Sequence, residues 1–344
     1  MDAERFREIT ARYPTLRVVV VGDVALDRYL EIDPSIEETS LETGLPVHNV
    51  VRVRPQPGAA GNVAANLAAL RPRRLAVVGF CGDDGEGYEL RRALTALGAD
   101  LSHFVTWPDR TTFTYIKPVL VRAGRPPEEL SRLDLRSRTP TPPGLQERLI
   151  EGLAEAVAWA DVVVAMDQVP EPACGVLTPR VKEALAEMGE AHPDKVFVAD
   201  SRTAVGDLAG VAVKVNLREL ADRFCAPEED LDPEALAARW SAELGRPVFV
   251  TLGEEGVLVA SGEAVHRVRG VPVDPPIDET GAGDAVLTHV AMALACGASP
   301  AEAAELGNLA GGVVIKKLGT TGTATVEELA QMRETVEREA AGGP

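Results

Sequence analysis

The feature that most constrains the fold is a series of short β-branched runs, separated by longer segments of helical character. The first run, Val18 to Val21, ends at Gly22. Such runs are typical of parallel strands that are buried on both faces. Further runs of this kind are Leu75 to Phe80, Val162 to Met166, Val196 to Ala199, Val211 to Val215 and Val248 to Leu252. The alternation predicts an α/β fold, a three-layer α/β/α sandwich on a mainly parallel sheet.

Two short strand patterns lie outside this rhythm. Tyr29 to Ile32 and Val47 to Val53 flank a polar, acidic loop from Pro34 to Gly44. The rest of the chain shows neither an internal repeat nor a linker between domains. We therefore predict a single domain over residues 1–344, in which residues 29–53 form a small β flap that serves as a lid or a dimer interface.

Charge and composition exclude several classes of partner. The formal net charge is −18 and the pI is about 4.8, whereas nucleic-acid and anionic-membrane surfaces need a broad basic face. Residues 1–13 are charged, and no stretch reaches the roughly 18 consecutive apolar residues of a membrane helix. The four cysteines lack metal-type spacing, which favours free thiols. We expect a cytoplasmic protein with a small-molecule substrate and no nucleic-acid or membrane partner.

The strongest functional motif is Thr280-Gly281-Ala282-Gly283-Asp284, which runs into an apolar, Ala-rich stretch that Gly297 would end. The pattern predicts a tight turn into a buried helix, whose first N–H groups and dipole suit a phosphoryl group. Asp284 in the first turn can take the proton from an attacking hydroxyl while those amides neutralise charge on the phosphoryl oxygens. The alternative is that Asp284 only complements the helix dipole.

Other polar residues are expected at the ligand-binding edge of the sheet. Asp23 and Asp27 follow the first strand, so either could reach a hydroxylated ligand. In Pro57-Gly58-Ala59-Ala60-Gly61-Asn62 the glycines permit close approach of the backbone, and the Asn62 amide can bind sugar hydroxyls. The alternatives are solvated acids in a turn and a helix cap at Asn62.

Two further segments are candidates for nucleotide contacts. Asn216 and Glu219 follow a strand and open a helix, where they could meet phosphates or hydrated Mg²⁺, although a capping pair has the same spacing. The segment Thr251 to Gly256 also follows a strand, and its glycines could lie against a nucleotide or form a hairpin turn. The P-loop motif does not occur in this sequence, so a kinase would be of another type.

A phosphorylated substrate would need clustered charged donors in so acidic a protein. The candidates are Arg28, Lys117, Arg122 and Arg132. Each could instead be a solvated surface charge.

In this order, the motifs resemble those of the ribokinase-like, or PfkB, carbohydrate kinases. Asp278 to Asp284 looks like the C-terminal signature of that family, and Pro57 to Asn62 looks like its N-terminal glycine motif. Within the family, Gly22 to Tyr29, Arg132-Leu133-Asp134 and Lys317 to Thr320 look most like the heptose-7-phosphate kinase half of the bifunctional heptose kinase/adenylyltransferase. Two segments depart from that half: Ala165 to Pro170 replaces its Asp-Tyr-x-Lys-Gly, and Asp200-Ser201-Arg202 replaces its Asp-Pro-Lys.

The resemblance implies a role for each matching residue. Asp284 would be the base and the amides of Gly281, Ala282 and Gly283 the anion hole. The implied sugar ligands are Asp27 and Asn62, with Gly58 of the glycine motif. Lys117 and Arg132 are further candidate substrate ligands because of their positive charge. The implied ATP contacts are Asn216, Glu219, Thr251, Gly253, Gly256 and Asn308. Glu219 would hold Mg²⁺ through water, Asp278 and Thr280 are candidates for a K⁺ site, and the flap strands would close a homodimer.

The sequence thus predicts ATP-dependent phosphorylation of a sugar or sugar-phosphate hydroxyl. One alternative is a ribokinase-like kinase for another small polyol or a nucleoside. A second is a sugar-binding sensor without turnover, although such a sensor would not need Asp284.

Overall fold

The computed structural model describes residues 1–201, 208–226 and 231–341. The helices in these ranges are α1 (Ala3–Thr10), α2 (Ala60–Ala69), α3 (Gly85–Ala96), α4 (Pro143–Trp159), α5 (Pro179–Ala191), α6 (Leu217–Phe224), α7 (Pro233–Leu244), α8 (Ala282–Ala295), α9 (Pro300–Val314) and α10 (Val326–Ala341). The strands are β1 (Arg17–Gly22), β2 (Val24–Ile32), β3 (Glu38–Thr39), β4 (Pro46–Val47), β5 (Val50–Ala59), β6 (Arg74–Gly82), β7 (Phe104–Trp107), β8 (Thr114–Leu120), β9 (Glu128–Glu129), β10 (Leu133–Leu135), β11 (Val162–Asp167), β12 (Val196–Ser201), β13 (Ala212–Asn216), β14 (Val248–Thr251), β15 (Gly256–Ser261) and β16 (Ala264–Arg269).

The large sheet has the strand order β16-β15-β14-β13-β12-β11-β1-β6-β7. Neighbouring strands from β7 through β14 are parallel, and β15 and β16 continue the sheet in antiparallel fashion. This confirms the predicted mainly parallel sheet.

The sheet is covered on both faces, as β1 illustrates. Val18 and Val20 pack into one apolar core and Val19 and Val21 into the other. Helices α1, α2, α3, α8, α9 and α10 cover the first core, whereas α4 to α7 cover the second. Because successive side chains point to opposite faces, a strand buried on both sides must be apolar throughout. The predicted three-layer sandwich is confirmed.

Helix α8 is buried on every side along most of its length, since each residue from Ala285 to Ala293 is buried. Its small side chains let it lie against both the sheet and α9, where a Cβ on Gly307 would come within 3.0 Å of Val290. Gly297, with φ +80°, ends the turn after the helix as predicted. None of the helices in the described ranges is long and apolar enough to cross a membrane.

A second sheet has the order β10-β8-β2-β5, with β9 paired to β8, and β3 and β4 form a separate two-residue ladder. It is larger than the strands expected at 29–32 and 47–53, because β2 and β5 continue to their junctions with β1 and α2. Strands β8 and β10 also join it through pairing that local patterns do not reveal. Pro55 and Pro57 lie within β5, which is tolerated because β5 is an edge strand of this sheet.

The two sheets meet at the carboxyl end of β1. The chain leaves the large sheet at Gly22 and enters β2 at Val24, and β5 runs directly into α2. The Ala60 N–H donates to the Asp23 carbonyl oxygen at 3.0 Å, which ties the two crossings together. The start of α2 therefore lies beside the ligand-binding edge of the large sheet.

Candidate active site

The start of α8 and the start of α2 come together. Gly281 is the N-cap residue of α8 with φ +82°, and a Cβ there would lie 2.8 Å from Nδ2 of Asn62. The left-handed backbone and this close approach both require glycine. Of the amides predicted to form an anion hole, that of Ala282 donates a long hydrogen bond of 3.2 Å to the Glu279 carbonyl oxygen.

Asp284 lies in the first turn of α8, as predicted. One of its carboxylate oxygens accepts a 2.6 Å hydrogen bond from Nδ2 of Asn62, and its carbonyl oxygen accepts one of 2.8 Å from the Thr288 hydroxyl. Asn62 is 1% exposed and lies inside α2, whose N-cap is Ala59. The side chain of Asn62 therefore orients Asp284 and does not cap its own helix.

Asp27 lies on β2 in a buried polar cluster. Nζ of Lys117, on the paired strand β8, is 3.1 Å from the Asp27 carboxylate and 3.3 Å from the Tyr29 hydroxyl. A Cβ on Gly58 would be 2.7 Å from the same carboxylate. Burial raises the pKa of Asp27, and the positive charge of Lys117 only partly opposes this effect. Burial disfavours the charge of Lys117, but its interactions with Asp27 and Tyr29 outweigh burial and raise its pKa.

Asp23 has a different role from Asp27. Its carboxylate accepts hydrogen bonds from the N–H groups of Gln168, Val169 and Val176 at 2.8, 2.9 and 2.6 Å. Burial, with a contribution from the nearby Asp167, raises the pKa of Asp23 to about 6. Asp23 thus anchors the loop after β11, and Asp27 is the acid that lies beside the glycine motif.

The basic candidates are distributed over several ion pairs. Arg28 pairs with Glu89 at 2.9 Å and Glu86 at 3.6 Å, and Arg122 pairs with Glu128 at 2.6 Å. Arg132 pairs with Asp134 at 2.7 Å, and its guanidinium carbon lies 4.1 Å from the centroid of the Tyr115 ring. Lys117 and Arg132 both interact electrostatically with Asp27.

Two of the predicted nucleotide residues, Asn216 and Thr251, end adjacent strands of the large sheet. Asn216 of β13 is paired in register with Thr251 of β14. Asn216 and Glu219 form a reciprocal capping box at the start of α6, with both hydrogen bonds at 2.8 Å, so the capping alternative describes their contacts. The Thr251 hydroxyl donates to the Val215 carbonyl oxygen at 3.3 Å.

Gly253 lies in the tight connection between the antiparallel strands β14 and β15, and Gly256 is the first residue of β15. This connection has the geometry of the hairpin alternative. Both glycines have positive φ, +60° and +101°, and the space around a Cβ on Gly253 is open. Asn308 of α9 donates from Nδ2 to the Arg269 carbonyl oxygen at 2.5 Å. The backbone of Gly253 is therefore accessible to a ligand.

Asp278 braces the loop before α8. Its carboxylate accepts from the N–H groups of Thr280 at 3.0 Å and Gly319 at 3.1 Å. These hydrogen bonds lower its pKa despite the opposing effect of burial. Within the described ranges, no three His, Cys, Asp or Glu side chains converge as a metal site.

Two Lys–Asp pairs at this edge of the sheet, one buried and one partly buried, were not predicted from the sequence. Lys214 of β13 pairs with Asp200 of β12 at 2.5 Å, and Lys182 of α5 pairs with Asp167 of β11 at 2.6 Å. A lysine inside the valine run that forms β13 was the available signal for the first pair. Asp167 and Asp200 lie in the two segments that depart from the heptose kinase pattern, and Arg202 lies outside the described residues.

A family model for the pfkB family carbohydrate kinases matches residues 145–327. A protein named bifunctional protein HldE from Geotalea uraniireducens is 31% identical over 340 residues, which cover 96% of this chain and 66% of that protein.

Two solved structures share the fold. Phosphofructokinase-2 from Escherichia coli, in complex with potassium, has a TM-score of 0.70 at 18% identity, covering 94% of this chain and 100% of the other. Ribokinase from Arabidopsis thaliana, complexed with ribose and ATP, has a TM-score of 0.66 at 19% identity, covering 92% and 98%.

Proposed function

The chain belongs to the pfkB family of carbohydrate kinases, and we propose that it transfers the γ-phosphoryl group of ATP to a hydroxyl of a sugar or sugar phosphate. The observation that carries the proposal is the carboxylate of Asp284, which lies in the first turn of α8 and is oriented by Asn62. A base and an anion-binding helix start in one turn are what phosphoryl transfer to a hydroxyl requires.

The reaction needs one proton acceptor and a site for the charge on the phosphoryl group. Asp284 takes the hydroxyl proton as the oxygen attacks the γ-phosphorus, and the bond from phosphorus to the oxygen bridging it to the β-phosphate breaks. ADP keeps the electron pair of that bond. The positive end of the α8 dipole and its first N–H groups stabilise the equatorial phosphoryl oxygens.

In this proposal, ATP binds along the carboxyl ends of β13 and β14. Support comes from the open backbone at Gly253 and from the register that sets Asn216 beside Thr251. Glu219 would hold Mg²⁺ through water, and the ion would neutralise charge on the β- and γ-phosphate oxygens. Gly256 and Asn308 complete the proposed nucleotide contacts, and Asp278 with Thr280 is the proposed K⁺ site.

The sugar is placed on the small sheet, against Asp27, Gly58 and Asn62. Its proposed class is a heptose-7-phosphate-like sugar phosphate, which the sequence motifs imply and the similarity to HldE supports. The physical support is that Lys117 and Arg132 provide two cations within electrostatic reach of Asp27. Charge-assisted hydrogen bonds from such groups are suited to a phosphate.

We also propose a homodimer that forms through the small sheet and the adjoining hairpin of β3 and β4. This region carries several exposed apolar side chains, which is uncommon on a monomer. They are Ile36, Leu41, Leu45, Val47, Val50, Val51, Val53, Leu133 and Leu135. A twofold dimer would bury this face against the same face of a second copy.

The test of the proposed reaction is ADP release from ATP, Mg²⁺ and K⁺ with a panel of acceptors. The panel contains sugar phosphates, the same sugars without phosphate, small polyols and nucleosides. We expect acceptor-dependent turnover with sugar phosphates. ATP binding without turnover for any acceptor would refute the kinase proposal and favour the sensor.

A further inference from the structure

Lys214 is a charged side chain in an otherwise apolar strand. On β13, Ala212 faces the core beneath α8, whereas Val213 and Val215 face the opposite core. Lys214 has the same parity as Ala212, so its side chain points towards α8. It is only 5% exposed.

The ammonium group of Lys214 reaches the start of α8. A Cβ on Gly283 would lie 3.1 Å from Nζ and 3.9 Å from Cε of Lys214. Apart from the adjoining residues and the backbone of α8 itself, the described chain places no other atom within 4 Å of that position. The absence of a side chain on Gly283 is what allows the cation to approach the turn that carries Asp284.

Lys214 is a cation in this environment. Burial disfavours its charge, but Asp200, whose carboxylate is 2.5 Å from Nζ, and the more distant Glu219 and Asp284 outweigh burial and raise its pKa. The ammonium group is therefore protonated at neutral pH. It interacts electrostatically with the proposed Mg²⁺ residue and with the proposed base.

Stability alone does not account for this pair. Desolvating two charges in a protein interior costs several kcal/mol for each ion, and their attraction frequently fails to offset that cost relative to apolar side chains. A large apolar residue would suit a strand whose other buried positions are alanine and valine. The position of the ammonium beside Gly283 provides a reason for a charge there.

We propose that Lys214 is a catalytic residue whose ammonium contacts the γ-phosphoryl group of ATP from the sheet side, with Asp200 as its positioning residue. The first N–H groups of α8 contact the same group from the helix side. Lys214 stays protonated throughout, so it adds no proton transfer to the reaction and acts by neutralising charge. The inference rests on the proposed kinase function.

Binding measurements test the contact without turnover. Calorimetric titrations with ATP and with ADP, in Mg²⁺ and without sugar, compare the wild type with Lys214→Met. We expect the variant to bind ATP about tenfold more weakly or worse, as for a lost charge-assisted hydrogen bond, and to bind ADP within about threefold of the wild type, because ADP lacks the contacted group. Equal weakening of both ligands, or of neither, would overturn the inference.

Turnover provides the second readout. We expect Lys214→Met to lower kcat by roughly 10²- to 10³-fold, the range for removing one donor to a transition-state anion, with the sugar KM changed less than about threefold. The matched control is Lys182→Met, which breaks the other Lys–Asp pair one strand further along the sheet. A kcat for Lys214→Met equal to that of the control would also overturn the inference.

Two further results separate the possible failures. If Lys214→Met does not fold because Asp200 is left buried and unpaired, Lys214→Met/Asp200→Asn removes both charges and is measured in its place. A wild type that lacks turnover but shows the ATP-specific loss would refute the proposed kinase function and leave the Lys214 contact standing. A wild type that turns over, combined with no effect of Lys214→Met, would support the proposed kinase function and refute the Lys214 contact.

Discussion

The side-chain amide of Asn62 donates a 2.6 Å hydrogen bond to the carboxylate of Asp284, across 222 positions of the sequence. This bond joins the two glycine motifs, which lie at the starts of α2 and α8. Because Asn62 is buried, water competes little for the bond, and the carboxylate is held in one orientation. The proposed base is therefore set by the packing of two helices.

Asp284→Asn tests the proposed base. The amide oxygen of the new side chain can still accept from Asn62, so we expect the fold and the ATP affinity to change by no more than a few-fold. Turnover should fall by about 10²-fold or more because the proton acceptor is lost. Steady-state kinetics at saturating substrate, with calorimetric ATP titrations, measure both. Retention of more than about half of the wild-type turnover would remove Asp284 from the mechanism.

Gly283→Val tests whether the phosphoryl group binds at the first turn of α8. Gly283 lies inside α8 without a positive φ, so the substitution acts by steric contact with Lys214 and the phosphoryl group and not by backbone strain. We expect a loss of turnover of roughly 10²-fold with the fold retained. The control is Gly311→Ala on α9, where a Cβ would make an ordinary 3.4 Å contact with Val286. Normal turnover of Gly283→Val would place the phosphate elsewhere.

Arg132→Ala tests recognition of a substrate phosphate. Arg132 is exposed, so its loss should affect stability little, and we expect the KM for the sugar phosphate to rise about tenfold with a smaller change in kcat. Arg122→Ala, which breaks the exposed pair with Glu128, is the control. Lys117→Ala should raise KM similarly but also destabilise the fold, because it leaves Asp27 buried without its cation.

One outcome of these measurements would contradict a sugar-phosphate substrate. If the wild type uses the unphosphorylated sugar equally well and both variants keep the wild-type KM, the substrate is a neutral polyol or a nucleoside.

His289 predicts an acid-dependent loss of stability. It lies on α8 and is completely buried, and burial lowers its pKa to about 4 from a usual value near 6.5. As the pH falls, the unfolded chain takes up this proton before the folded protein does. The histidine contribution to stability is thus intact above about pH 6.5 and is lost progressively towards pH 4.

Urea unfolding at pH 7.5 and pH 5 measures this effect. We expect the free energy of unfolding to fall by about 2 kcal/mol more in the wild type than in His289→Gln, which cannot titrate. Equal losses in the two proteins would show that folding does not lower the pKa of His289.

The proposed homodimer can be tested by measuring the molecular mass in solution after a substitution in the exposed hairpin between β3 and β4. Leu41 is fully exposed to solvent. Leu41→Asp should leave the thermal stability of the subunit nearly unchanged and convert a dimer into a monomer in light scattering. Glu42→Gln, at a neighbouring exposed position, should keep the dimer. A wild type that is monomeric at micromolar concentration would contradict the proposal.

Six strands of the large sheet, β1, β6 and β11 to β14, were predictable because they are largely buried on both faces, which leaves a continuous apolar signature such as Val18 to Val21. Strands β7, β15 and β16 were not predicted, and no residue of β16 is buried. The small sheet was predicted only in part. Its strand β5 contains prolines, and β8 and β10 join it through contacts between distant residues. Pairing of this kind is decided by tertiary structure, so local patterns indicated parts of β2 and β5, and a strand at Thr111 to Val121 that contains β8, but not which strands pair with one another.

The candidate site shows the same division. Asp284, Asn62 and Asp27 were identified because glycine motifs and strand ends mark them in the sequence. Lys214 was missed because its neighbours describe an ordinary buried strand, and its proximity to Gly283 depends on how α8 lies over the sheet. Asp23 was grouped with Asp27, but the N–H groups of the loop after β11 determine its role.

Two glycines of the candidate site, Gly58 and Gly281, lie so close to polar side chains that few substitutions are possible there. Any side chain at Gly58 would occupy the space of the Asp27 carboxylate, and any side chain at Gly281 would occupy that of the Asn62 amide. A single substitution at either glycine would therefore displace its polar neighbour, so we expect each of these glycines to change only together with that neighbour. Acceptor specificity would then diversify at the pocket rim, around Arg132, and libraries built to redirect this protein should vary the rim and substitute the inner positions only in pairs.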